Sequence, residues 1–78
     1  MSKIMSRFVQ LLAKKELKTG KRYSQKEIAD ALSVSPSTVS RWMNGQIVEK
    51  SSLETVRRIC DFLECEVGDL LYIERELA

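Results

Sequence analysis

The stretch SPSTVSRWMNG, residues 35–45, holds side chains whose types and spacing could bind the edges of nucleic-acid bases. Val39, Trp42 and Met43 recur at the i, i+3, i+4 spacing of a helix with one buried face. Short polar residues and one arginine occupy the other side, with Thr38 at the edge: Pro36, Ser37, Thr38, Ser40, Arg41 and Asn44. So slim a face fits the major groove of DNA, because hydroxyls can bond base edges and arginine can hold a guanine by two bonds. Exposed polar helix faces are also common in proteins that touch no nucleic acid, so a merely solvated face stays the alternative.

The segment directly before this stretch, SQKEIADAL, predicts a helix with an anion site at its start. Ser24 is its N-cap and Glu27 stands three residues on, which is the pattern of a capping box. Backbone N–H groups near Ser24, Gln25 and Lys26 are expected to be free and to attract a phosphate. The turn to the next helix is only a few residues long, so the two helices must cross at a steep angle. Adjacent elements would therefore supply base recognition and phosphate anchoring.

Charge is distributed unevenly along the 78 residues. Residues 1–50 contain ten Lys or Arg and four Asp or Glu, a net +6, whereas residues 51–78 contain three and seven, a net −4. Residues 1–50 contain both segments described above, and their net positive charge favours binding to a polyanion. Because so short a chain has no room for a separate ligand-binding domain, we predict one domain over residues 1–78, with no cofactor and no small-molecule ligand.

Cysteine usage and hydropathy predict a reduced, cytoplasmic protein. We expect no signal peptide, because Lys3 and Arg7 interrupt the first apolar residues, and no membrane span, because no apolar run is long enough. Cys60 and Cys65 cannot form a zinc site by themselves, since a structural site needs four ligands and the chain has no histidine. We assign both to the core as small apolar side chains, with a disulfide between them as the alternative.

The apolar periodicity predicts an all-α fold of about five helices around one core. The first helix should cover about Lys3–Leu17 and stop at Gly20, and the second should cover about residues 24–32. The third should cover about residues 36–44, with Ser35 as its cap and a proline at its first position.

The second half of the chain adds two more helices to this prediction. Ser51 and Glu54 form a second capping box, which opens a fourth helix. Its apolar stripe is predicted to hold Leu53, Val56, Ile59, Cys60 and Leu63, and its outer face is predicted to hold Arg57, Arg58, Asp61 and Glu64. The segment EVGDLLYI is a short fifth helix or a turn. We find no alternating pattern of the kind that predicts a strand.

Over about residues 23–71 the sequence resembles the Cro/repressor-like (XRE-type) helix-turn-helix family, to which phage Cro and repressor proteins belong. The resemblance lies in YSQKEIADALSVSPSTVSRWMNG and continues through SSLETVRRICDFLECEVGDLL. Its key positions are Ala29 at the helix crossing, Val34 in the turn, Val39 and Trp42 in the core, and Asn44-Gly45 as terminator. The resemblance implies a compact, lambda-repressor-like helical bundle in a small single-domain transcriptional regulator.

The resemblance also implies which residues contact double-stranded DNA. The predicted base-reading residues are Pro36, Ser37, Thr38, Ser40 and Arg41. The resemblance implies that Gln25 contacts a phosphate. It also implies that Asn44 and the residues just after it contact the DNA backbone. The anion site and the basic side chains nearby add further residues to this set. The predicted phosphate contacts are Arg22, Ser24, Gln25, Lys26, Asn44 and Lys50. Such a domain would bind a two-fold symmetric operator as a homodimer, since one recognition helix covers few bases.

Two residues depart from the family pattern. Ser33 stands where the family usually has a turn glycine, which predicts a strained or altered backbone conformation there. Pro36 stands where well-studied members have a glutamine, so the family's usual base-pair preference is not carried over to that position.

The leading interpretation is a transcriptional regulator, a repressor rather than an activator. We expect no enzyme, because the chain has no histidine, no nucleophile beside a base and no glycine loop to cradle phosphate. The alternative is an antitoxin or interaction module that binds a partner protein and only secondarily its own promoter. It rests on the apolar residues near the carboxyl end: Leu70, Leu71, Tyr72, Ile73 and Leu77. Some of these would form a dimer or partner surface, unless Leu70 and Leu71 pack in the core.

Overall fold

The computed structural model describes residues 2–45 and 51–75. In chain order its elements are β1 (Ser2–Ser6), α1 (Phe8–Thr19), α2 (Gln25–Leu32), α3 (Pro36–Met43), α4 (Leu53–Leu63), α5 (Val67–Leu70) and β2 (Leu71–Arg75). The expectation of about five helices is confirmed for the described residues. The expectation of an all-α fold was wrong, because the two strands form a small sheet.

The first segment of the chain is a strand and not the first turn of a helix. β1 pairs antiparallel with β2, and Ile4 lies opposite Ile73. Helix α1 therefore begins at Phe8 rather than near Lys3, and it ends at Gly20, whose φ of 70° is left-handed. Ile4 and Phe8 have helical spacing, but pairing with a strand near the other end of the chain satisfies the backbone groups of β1.

The core lies between the helices and takes side chains from all five. Its buried residues are Phe8, Leu12, Ile28, Ala29, Leu32, Val39, Trp42, Val56, Ile59, Cys60, Leu63 and Leu70. The ring of Phe8 packs against that of Trp42, with centroids 6.1 Å apart. Leu70 is fully buried and Leu71 packs against the core, so the core alternative is confirmed for these two residues.

The start of α4 differs from the prediction in its cap and in Leu53, which is 86% exposed and does not belong to the buried stripe. Ser52 is the N-cap, and its side chain accepts a hydrogen bond from the N–H of Thr55 at 3.1 Å. The predicted capping box of Ser51 and Glu54 was therefore wrong by one residue. Two consecutive serines can both act as an N-cap, and the backbone conformation of the folded chain determines which of them does.

Both cysteines are free thiols, with Cys60 buried and Cys65 half-buried against the core. Burial raises the pKa of the Cys65 thiol to about 11, and it also raises the pKa of Cys60. Since the thiolate is the reactive form, a raised pKa lowers the reactivity of both thiols. The assignment of the cysteines to apolar packing is confirmed.

Candidate nucleic-acid interface

Helices α2 and α3 are joined by the three residues Ser33–Ser35, and their bounds match the predicted ranges within one residue. The N–H of Val34 donates to the carbonyl oxygen of Ala29 at 3.0 Å, and the N–H of Ser33 donates to that of Asp30 at 3.3 Å. This pair of bonds is the Schellman motif, which ends a helix sharply. The two helices are thus a helix-turn-helix.

Ser33 has the left-handed conformation that the turn demands, with φ 57° and ψ 43°. Of the two outcomes predicted for this position, a strained or an altered conformation, the structure shows the strained one: the turn keeps the left-handed conformation. A Schellman motif places its left-handed residue here, and glycine is the residue that takes this conformation at least cost. The turn therefore holds a serine in a strained conformation.

Helix α3 has one buried face and one face open to solvent. Val39 and Trp42 are buried and Met43 is half-buried against the core, as the spacing predicted. Of the predicted base-reading residues, Pro36, Ser37 and Arg41 are exposed, whereas Thr38 and Ser40 are half-buried. The exposed face is therefore narrower than the sequence indicated, and Arg41 has the longest side chain on it.

A cluster of three hydroxyls lies at the start of α3. Ser35 Oγ lies 2.9 Å from Ser37 Oγ and 3.0 Å from Thr38 Oγ1, and it accepts from the N–H of Thr38 at 3.3 Å. In each hydroxyl pair either oxygen can be the donor, so the cluster can present a donor or an acceptor to a ligand. Ser35 was predicted only as the cap of α3, and its contact with Ser37 was not predicted.

The capping box of α2 forms as predicted. Ser24 Oγ accepts from the N–H of Glu27 at 3.1 Å, and the N–H of Ser24 donates to Glu27 Oε1 at 3.2 Å. The N–H of Ser24 is therefore not free, contrary to the expectation for all three positions. Gln25 and Lys26 are the first two helical residues, whose N–H groups have no acceptor within the helix. Any anion site at this helix start thus depends on these two residues.

A carboxylate adjoins this helix start and sets its electrostatics. The bond from the Ser24 N–H, helped by Lys21, lowers the pKa of Glu27, so this carboxylate is charged at neutral pH. Lys21 Nζ lies 3.4 Å from Glu27 Oε2 and offsets the charge. A phosphate would be favoured by the exposed side chains of Arg22 and Lys26.

The other predicted phosphate contacts are Gln25, Asn44 and Lys50. Gln25 is exposed at the start of α2, and Asn44 is exposed at the carboxyl end of α3, before Gly45 with its φ of 69°. Lys50 lies outside the described residues. The structure therefore brings exposed polar or basic groups to both helices of the motif.

One residue at this site was missed by the sequence analysis. Arg58, which the helical pattern of α4 placed on the outside, reaches the turn between α2 and α3 and donates to the carbonyl oxygens of Leu32 and Ser33. Its i, i+4 spacing from Glu54 was a visible signal for an ion pair, but no local pattern indicates a contact across 25 residues.

The fold and the polar face of α3 define a helix-turn-helix protein of the DNA-binding class. The sequence profile of the Cro/C1-type HTH DNA-binding domain matches residues 10–76, and the chain belongs to this family. Comparison with curated proteins and with solved structures found no match. Membership supports sequence-specific DNA binding by a regulator. Among the helices of residues 2–45 and 51–75, none has the length and apolar character needed to span a bilayer.

Proposed function

We propose that this chain is a transcriptional repressor that places α3 in the major groove of a two-fold symmetric operator and binds it as a homodimer. The observation that carries the proposal is the division of α3 into a buried face, with Val39 and Trp42, and an exposed polar face on a helix-turn-helix. The chain would act as one domain in the cytoplasm, a reducing compartment that suits its free thiols.

In this proposal the residues of α3 read bases, each by a different chemistry. Arg41 donates two hydrogen bonds to the O6 and N7 acceptors of a guanine. Ser37 and Thr38 exchange hydrogen bonds with base edges through the hydroxyl cluster, and Ser40 does so from the edge of the face. Pro36 has no N–H and offers an apolar surface, for which the methyl group of thymine is a suitable partner.

The phosphate contacts fix the register of α3 along the groove. Gln25 and Lys26 meet one phosphate at the start of α2, where the helix dipole favours an anion, and Ser24 and Arg22 adjoin them. Asn44 and Lys50 meet the backbone on the other side of α3. These contacts supply affinity for any DNA sequence, and they weaken as salt rises.

Repression follows from operator binding alone, because a bound dimer can block access to the promoter, whereas activation needs a further contact with the transcription machinery. A promoter with the selected operator placed across its start site tests this directly. Expression of the chain should lower reporter output. A rise in output from an upstream operator would instead identify an activator.

One observation favours the alternative of an interaction module, namely the apolar side chain of Ile73, which is 54% exposed on β2. An exposed apolar residue of this kind suits a partner protein as well as a second copy of the chain. A protein of that class would still bind DNA. The two functions therefore differ in whether the chain binds a partner protein when DNA is absent.

Selection of bound duplexes from random DNA tests the proposed function. We expect an enriched sequence with inverted symmetry, with half-site centres about 10 to 10.5 base pairs apart, the spacing that matches one helical turn. Footprinting on the enriched duplex should protect both half-sites. Binding without any enriched sequence would contradict the proposal.

A further inference from the structure

Arg58 reaches from α4 across to the turn of the helix-turn-helix. Its Nη1 lies 3.2 Å from the carbonyl oxygen of Leu32 and 3.3 Å from that of Ser33. These are the last carbonyls of α2 and its cap, which have no N–H partner within the helix. A guanidinium at this end also meets the negative end of the helix dipole. The contact therefore satisfies the end of α2 from a third helix.

Glu54 holds the guanidinium of Arg58 in place. Its Oε1 accepts from Nη2 of Arg58 at 2.7 Å, one turn earlier on α4. Both terminal nitrogens of the arginine are thereby engaged by protein acceptors, and the Arg58 side chain is only 33% exposed. The planar fork of arginine suits this role, because one rigid group bonds the carboxylate and the carbonyls together.

The contact falls at the position that sets the angle between α2 and α3. Ser33 is left-handed without being glycine, so its conformation must be held by its surroundings. The cap of α3, Ser35, follows two residues later, so a change in the backbone of Ser33 would tilt the whole of α3. Recognition needs side chains held within a fraction of an ångström, and a tilt would move every base-reading residue together.

We propose that Arg58, oriented by Glu54, is a positioning residue for DNA recognition, which holds the turn so that α3 and the phosphate contacts of α2 meet the same duplex. The proposal rests on the proposed function. Arg58 acts here through Ser33 and touches no base or phosphate. Its loss therefore lowers the preference for the operator and leaves general attraction to DNA unchanged.

The neighbouring arginine provides a matched control. Arg57 forms the same kind of i, i+4 ion pair, with Nη1 3.2 Å from Asp61 Oδ2. The Arg57 side chain is 64% exposed, and both side chains of this ion pair lie on the solvent side of α4. Arg57→Met removes one positive charge and one ion pair from the same helix without touching the turn. Any effect of Arg58→Met that this control lacks belongs to the contact with the turn.

The first measurement is the affinity of each variant for two duplexes over a range of salt concentrations. The duplexes are the one enriched from random DNA by the unaltered chain and a scrambled duplex of the same composition. For Arg58→Met we expect about tenfold weaker binding to the enriched duplex, which corresponds to the loss of a charge-assisted hydrogen bond. Its affinity for the scrambled duplex should equal that of Arg57→Met, because each variant loses one positive charge. The salt slope should not change, because no phosphate contact is lost. For Arg57→Met neither affinity should change more than the loss of one surface charge explains.

The second measurement is hydrogen exchange at the N–H of Val34, which the turn bonds to Ala29. This exchange should quicken about tenfold in Arg58→Met and stay unchanged in Arg57→Met. Adding Ser33→Gly to Arg58→Met should restore most of the preference for the enriched duplex, because glycine needs no support in the left-handed conformation. Arg58→Lys should fall between the unaltered chain and Arg58→Met, since an ammonium cannot reproduce the fork.

Each of the other possible results would contradict the proposal. Equal weakening on both duplexes with a salt slope lower by about one would make Arg58 a phosphate contact. Equal weakening with unchanged slope would mean a smaller folded fraction, which circular dichroism would show. The same loss in Arg57→Met would mean a general charge effect. If the unaltered chain enriches no sequence, the proposed function fails, while exchange at Val34 still decides whether Arg58 holds the turn.

Discussion

Arg41 stands on the exposed face of α3, one turn after Ser37, and among the described residues no carboxylate lies within ion-pair distance of it. We predict that it makes the strongest base contact. Arg41→Ala should cost about 1 to 3 kcal/mol on the operator and little on scrambled DNA, so that preference at one base pair disappears. Competition binding with single-base operator variants measures this loss.

Lys50→Ala is the control for Arg41, because we predict a phosphate contact for that residue. It should weaken binding to every duplex nearly equally and lower the salt slope by about one unit. If Arg41→Ala weakens operator and scrambled DNA by the same factor as Lys50→Ala, then Arg41 contacts phosphate and does not read a base.

Ser33 has a backbone conformation that lowers the stability of the fold. Its φ of 57° is costly for a residue with a Cβ and ordinary for glycine. Ser33→Gly should therefore raise the free energy of unfolding by about 1 kcal/mol. Urea unfolding followed by circular dichroism measures the change.

Ala31→Gly provides the comparison for this prediction, because Ala31 is exposed in the last turn of the same helix. There glycine should lower the free energy of unfolding by about 1 kcal/mol, since the site is right-handed. A loss of stability in both variants would mean that Ser33 is not left-handed in solution.

At the scale of the elements, the two serines before α4 give a direct test of where the helix begins. Ser52→Ala should cost about 1 kcal/mol of stability, because the N–H of Thr55 loses its acceptor. Ser51→Ala should cost much less, since Ser51 does not cap the helix. Thermal or urea unfolding of the two variants compares them. A larger loss at Ser51 would restore the capping box with Glu54.

The capping box of α2 makes the stability of this element depend on pH. The pKa of Glu27 is lowered in the folded protein, so the charged carboxylate stabilises the fold above its ordinary pKa of 4.5. This stabilisation is lost as the pH falls through the lowered value. The unaltered chain should therefore melt at a higher temperature than Glu27→Gln at neutral pH, and the difference should vanish in acid. A difference that persists at low pH would mean that the charge is not its source.

At the scale of the whole molecule, the apolar residues near the carboxyl end divide into core and surface. Leu70 is buried and Leu71 packs on the core, while Tyr72 is half-buried with the guanidinium of Arg7 4.2 Å from its ring centroid. Ile73 is exposed on β2, and Leu77 lies outside the described residues. Among these apolar residues near the carboxyl end, Ile73 is therefore the described one that best suits a surface between two copies.

Ile73→Glu should weaken the proposed dimer and leave the fold intact, because a charge in an apolar interface lacks a partner. Sedimentation would show more monomer, and footprinting would need more protein to cover both half-sites. Val67→Glu is the control, since Val67 is 53% exposed on α5 and is nearly as apolar. A single monomer protecting an asymmetric site would contradict the dimer.

Residue types and their spacing were enough to predict the elements whose signals lie within one or two turns of the chain. The cap of α2 and its Glu27 are three residues apart, and the spacing of Val39 and Trp42 indicates which face of α3 is buried. Each of these interactions is local, so residue type and spacing are enough to specify it. The strained or altered conformation at Ser33 was predicted only from the family resemblance, in which a glycine usually stands at that position.

The contacts between distant parts of the chain could not be predicted and are known from the folded structure. Ile4 lies opposite Ile73 in the sheet, and Arg58 bonds a carbonyl 26 residues away. Helical spacing in the first segment competed with strand pairing, and the pairing prevailed because the partner strand satisfies backbone groups that a frayed first turn leaves to water. Such pairings depend on where the helices bring the chain, which no local pattern records.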